Sequence, residues 1–161
     1  MRKSGLLLAV GFLLPAGVGA QTRMTGTTVC NPPGAEHVVP VDGQPAHAYG
    51  VSQVKCTWIK PWQIGGVAAK DGVGTGIANI KENQSQSSGT YVDTMANGDK
   101  GYYKYEFTAT LKDNKPEKIM GHKWELVGGT GKLAAVKGKG TCNATPQADG
   151  KVVYECQGEY K

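Results

Sequence analysis

The sequence predicts an all-β protein, an antiparallel barrel of about eight strands. Three observations lead there. Alternating apolar and polar residues recur in short runs from Tyr49 to the end of the chain. Turn residues such as Asn97-Gly98-Asp99, Asp113-Asn114 and Ala148-Asp149-Gly150 punctuate those runs. Glycine is abundant, at 24 of 161 residues, and no stretch carries convincing helical periodicity. Many short strands at regular spacing describe a sandwich or a barrel. Closing eight strands into a barrel removes the edges and leaves an interior wide enough for side chains or one small ligand.

The chain opens with Met1-Arg2-Lys3, an apolar run Leu6 to Leu14 broken only by Gly11, and then Pro15 and small residues ending in Val18-Gly19-Ala20. That order reads as a secretory signal peptide over residues 1–20, with Gln21 as the mature start. The apolar run is too short to span a bilayer. Removing Arg2 and Lys3 lowers the formal charge from +5 to +3. About 140 residues remain, enough for one domain with a sizeable core. With no second apolar segment, the mature form is expected to have no membrane span and to be periplasmic or secreted.

Four cysteines remain, Cys30, Cys56, Cys142 and Cys156. An even count in an exported chain suggests two disulfides. Partners across a hairpin have a constant index sum. The midpoint of Cys142 and Cys156 falls on the Ala148-Asp149-Gly150 turn, so those two are paired, and Cys30 is paired with Cys56 by elimination. There is no C-x-x-C and the histidines are isolated, so no metal site and no cofactor are expected.

Residues 21–47 read as an irregular segment with one possible strand, Thr25 to Cys30; residues 48–161 form the barrel body. Tyr49 to Ile59 is a strand with Val54, Cys56 and Trp58 on one face, ended by Pro61. Val73 to Ile80 follows, with Gly72, Gly74 and Gly76 on one face, marking a bend or a close approach of backbones. Lys81 to Ser88 is polar and reads as a mobile loop. Gly89 to Met95 is the next strand, with Tyr91, Asp93 and Met95 in phase. The clearest strand is Gly101 to Leu111, with Tyr103, Tyr105, Phe107, Ala109 and Leu111 on one face. Glu117 to Val127 puts Met120, His122, Trp124 and Leu126 in phase. Ala135 to Thr145 and Lys151 to Tyr160 complete the count.

Gly128-Gly129-Thr130-Gly131-Lys132 suggests a phosphate loop, but Leu133 stands where Ser or Thr is needed and the first glycine of the pattern is missing. The glycines are better read as a tight connection with positive φ. No catalytic triad or G-x-S-x-G is legible. Nine lysines against four acids between Lys100 and Lys139 raise an anionic partner. Lys104, Lys137 and Lys139 fall on polar strand phases, so a solvated exterior is the better reading and no nucleic acid is expected. Candidate ligand-binding residues are Trp58, Tyr103, Tyr105, His122 and Trp124: aromatic, in phase along their strands, and flanking an ionisable group. No catalytic residue is assigned.

The residues Trp124 to Ala134, then Lys137-Gly138-Lys139-Gly140-Thr141, then Tyr154 to Tyr160, resemble the allene oxide cyclase barrel-like group. That group includes the dirigent proteins and many exported bacterial proteins. The resemblance covers the last third to half of the mature chain and implies a calycin-like, eight-stranded antiparallel barrel. Plant members steer a reactive intermediate inside an apolar cavity, but their working residues find no match in position here. The expectation is therefore an exported, non-catalytic barrel that binds a small apolar or aromatic ligand or serves as an envelope interaction module. The alternative is a cyclase-like or dirigent-like enzyme.

Overall fold

A computed structural model describes residues 21–161. The expected signal peptide, residues 1–20, lies outside the described residues. The described residues form ten strands: β1 (Thr22–Cys30), β2 (Ala35–Pro40), β3 (His47–Lys60), β4 (Gln63–Ile64), β5 (Val67–Lys81), β6 (Gln84–Met95), β7 (Lys100–Lys112), β8 (Lys115–Gly129), β9 (Gly138–Pro146) and β10 (Val152–Tyr160). A single 3-10 turn, Gly131–Leu133, is the one helical element among the described residues.

Eight of the strands close a barrel in the order β1-β10-β9-β8-β7-β6-β5-β3, with β3 returning to β1. All pairings are antiparallel. The order follows from hairpins, which place consecutive strands side by side. The long-range pairs β1–β10 and β1–β3 close the ring. β2 continues the line of β1 along β3, and the short β4 folds back on β5.

Both disulfides sit at registered positions. Cys30 faces Cys56 across β1–β3, and Cys142 faces Cys156 across β9–β10. The turn at Gly150, with φ of +82°, sits where the index sum requires it.

Three expectations are corrected. Lys81 to Ser88 is not a loop: Glu82, at φ of +54°, turns a hairpin, and Gln84 to Ser88 are the start of β6. The polar side chains there misled because strands of a small barrel can carry serines inward; Ser85 is buried and bonds Ser87. Residues 21–47 hold two strands, β1 and β2, rather than one. On β8, a bulge breaks the phase. The pairing with β7 shifts between Lys123 and Met120, and Gly121 adopts φ of +64°. Met120 therefore faces out and Ile119 is buried, while His122, Trp124 and Leu126 keep the inward phase.

One end of the barrel is packed solid by Met24, Trp62, Ile64, Met95, Leu126 and Leu133. Leu133 reaches this core from the 3-10 turn. Gly128 and Gly131 take positive φ there, as a tight connection requires. The lysines lie outside. Register aligns Lys104, Glu125, Lys139, Glu159 and Arg23 across five adjacent strands, an alternating ladder that offsets the positive charge.

Candidate functional site

The interior is organised around Asp93. Its carboxylate is completely buried on β6. Trp58 Nε1 donates to one oxygen at 2.7 Å, and Trp62 Nε1 donates to the other at 3.0 Å. Trp58 comes from β3. Trp62 lies just beyond Pro61, where the chain leaves the barrel wall and folds back over it. The two indoles pack against each other, tilted by 36°, with ring centroids 4.3 Å apart. Trp62 then packs against Tyr103 at 5.6 Å and Trp124 at 5.2 Å.

Burial pushes the Asp93 carboxyl up to about 7, although both indole N–H groups favour the anion. The hydroxyls of Tyr91 and Tyr103 approach closely enough to act in the same sense, yet neither meets hydrogen-bond geometry with any partner. Both tyrosines are raised well above the ordinary phenol value, by burial first and then by Asp93.

Beneath this cluster lies a partly open cavity of about 140 Å³. All five sequence candidates, Trp58, Tyr103, Tyr105, His122 and Trp124, line it. Structure adds Trp62, Tyr91, Phe107 and Tyr154, and the four cysteines, whose disulfides form part of the wall. Asp93 itself does not line the cavity; the tyrosines and indoles stand between.

Glycines make the space. A Cβ at Gly72 would collide with the Tyr91 ring, and one at Gly76 with the Tyr105 hydroxyl. Gly140 and Gly158 do the same for the Trp124 indole. At Gly72 and Gly76, side-chain rings rather than a second backbone make the close approach. One wall is a set of near-parallel rings: His122 lies 5.9 Å from Tyr105 at 9° and 5.7 Å from Phe107 at 13°. Tyr154 meets His122 edge-on at 5.2 Å. Burial lowers the His122 imidazole to about 4, so its ring is neutral at physiological pH.

Four buried polar atoms of the lining residues have no hydrogen-bond partner: Tyr91 Oη, Tyr103 Oη, His122 Nδ1 and Trp124 Nε1. Among the described residues, no group of His, Cys, Asp and Glu is placed to hold a metal ion. No helix there is long and apolar enough to cross a membrane.

Trp62 carries no strand phase in the sequence because it follows the proline that ends β3. Asp93 was in phase with Tyr91, but nothing local tells a buried carboxyl from an exposed one.

Fold and interior together define a closed, disulfide-linked β-barrel with a partly open, aromatic-lined cavity. No family model and no curated protein matches the chain. Among solved structures, it is similar to the conserved protein of unknown function RPA1785 from Rhodopseudomonas palustris, at 12% identity over 88% of this chain and 99% of that one, with a TM-score of 0.49. It is also similar to the pterocarpan synthase dirigent protein GePTS1, at 12% identity over 95% of this chain and 96% of that one, with a TM-score of 0.46.

Proposed function

We propose that this is an exported, non-catalytic barrel that binds a small, partly apolar molecule in its interior. The observation that supports this reading best is the cavity of about 140 Å³ amid otherwise close-packed rings. Protein interiors rarely leave voids larger than a water molecule. A cavity of roughly 150 Å³ with apolar walls is large enough to take benzene. Export is supported by the two disulfides, which persist in oxidising compartments.

The test is a titration of the purified protein with toluene, followed by NMR shifts of the Trp58, Trp62 and Trp124 indole N–H groups. Saturable shifts in all three are expected. An unresponsive spectrum up to the solubility limit of toluene would remove the ligand-binding reading.

A second reading, an envelope interaction module, is supported by the outer wall. Val39 pairs with Tyr49 and Val51 pairs with Ile77, and all four are exposed, Ile77 to 60%. Contiguous apolar residues on an outer face mark interaction surfaces. Ile77→Asp would abolish an interaction made there and leave toluene binding unchanged. The templating alternative requires an acid or base at the cavity surface. Of the ionisable groups His122 and Asp93, His122 reaches it and Asp93 does not.

A further inference from the structure

The unpartnered polar atoms specify more than an apolar hole. Trp124 Nε1 is a donor buried without an acceptor, and Tyr103 Oη, though near enough to Asp93 to favour its anion, makes no hydrogen bond of good geometry. Their rings meet edge-to-face, with centroids 5.9 Å apart, on adjacent strands β7 and β8. Tyr91 Oη, beside Tyr103 at 6.1 Å between centroids, is a third such donor. Buried donors left unpaired are costly, and most in native proteins have a partner. Trp124 Nε1, with the two poorly aligned tyrosine hydroxyls beside it, can serve an acceptor in the cavity.

Shape and charge narrow the class. The near-parallel rings of Tyr105, Phe107 and His122 give the cavity an aromatic lining that suits another ring. The volume is that of a single ring. Among the described residues, neither Lys nor Arg lines the cavity. A buried anion would lack a counter-charge, and Asp93 behind the tyrosines opposes one further.

Resting on the ligand-binding reading above, we infer that the cavity selects an uncharged, one-ring aromatic compound bearing a carbonyl-type acceptor oxygen. That oxygen is held by Tyr103 Oη and Trp124 Nε1, with Tyr91 Oη within the same group of donors. The ring lies against the Tyr105–Phe107–His122 wall.

The experiment compares benzaldehyde, toluene, benzoate and tetramethylammonium as ligands of the purified protein, by ligand-observed NMR and calorimetry. Benzaldehyde is expected to bind about tenfold or more tighter than toluene, because a site built to donate hydrogen bonds discriminates against the analogue that lacks the acceptor. Benzoate and tetramethylammonium are expected to bind more weakly than both. Tyr103→Phe should remove most of the benzaldehyde preference while leaving toluene affinity within about twofold, on the same principle. Trp124→Phe should do likewise, with toluene binding reporting that the cavity survives.

Equal affinity for benzaldehyde and toluene would overturn the inference while leaving the ligand-binding reading standing. So would a preference for tetramethylammonium or benzoate, or an undiminished benzaldehyde preference in both variants. Failure of every compound to bind would remove both.

Discussion

Trp58 and Trp62, four residues apart on either side of a proline, donate their indole N–H groups to the two oxygens of one buried carboxylate, Asp93. Trp58 belongs to the barrel wall and Trp62 to the segment that closes its end. Asp93 therefore ties the cap to the wall. Replacing it by leucine leaves two indole donors unpaired in the core. A loss of about 3 kcal/mol is expected, from roughly 1–3 kcal/mol per unsatisfied group, read as a lower urea midpoint with unchanged m. A variant as stable as the parent would show that the indoles find other acceptors.

Asp93 and His122 set opposite pH dependences. The folded chain keeps the Asp93 proton up to about 7, against an ordinary 3.8. Its contribution to stability is fully present below the ordinary value and is lost as pH rises through about 7. His122 is held down to about 4 from 6.5. Its contribution is present above 6.5 and is lost as pH falls through about 4. Between those limits the two offset each other, so the parent Tm should change little from pH 4.5 to 6 (a window of roughly the overlap). His122→Phe should expose a Tm that falls with rising pH, and Asp93→Asn a Tm that rises. Parallel profiles in the two variants would contradict the assignment.

The glycines in contact with the rings predict position-dependent costs. A Cβ at Gly140 would meet both the Gln157 carbonyl and the Trp124 indole, and neither can retreat without shifting β10 or opening the core. At Gly50, the nearest atoms to an added Cβ are 3.7 Å away, in ordinary contact. Gly140→Ala should cost about 3 kcal/mol through overpacking. Gly50→Ala should be neutral or slightly stabilising, since the unfolded chain loses freedom. Thermal melts of the pair decide it; equal effects would refute the close packing of Trp124.

Both disulfides bridge directly opposed residues. Removing Cys142–Cys156, which closes a separation of 14 residues, should cost about 3 kcal/mol on the loop-entropy model. The double variant Cys142→Ala, Cys156→Ala should also enlarge the cavity, since these sulfurs are part of its wall. Weaker denaturant resistance together with tighter binding of a larger ring such as xylene is the expected pair of outcomes.

Much of the barrel was legible locally. Alternation along Gly101 to Leu111 placed Tyr103, Tyr105 and Phe107 inward, and the index sum paired Cys142 with Cys156. Alternation fails where the backbone departs from period two. Gly121 absorbs an extra residue in β8, so Met120 leaves the face it was expected to share with His122. A polar run also misleads where a strand turns its serines inward, as at Ser85 and Ser87. Trp62 escaped because a residue just past a strand-ending proline carries no phase at all.

By itself, the sequence determined the all-β class, the hairpin rhythm, the disulfide partners and the shared aromatic faces. Each depends on residues close in the chain or on a two-residue period. Tertiary structure alone decided that β3 closes on β1, that Trp62 returns to cap the wall, and that Asp93 is buried beneath four aromatic side chains. Those contacts span 31 residues or more in the case of Trp62 with Asp93 and Trp58 with Asp93. Their energies come from desolvation and ring packing, which exist only once the barrel has closed.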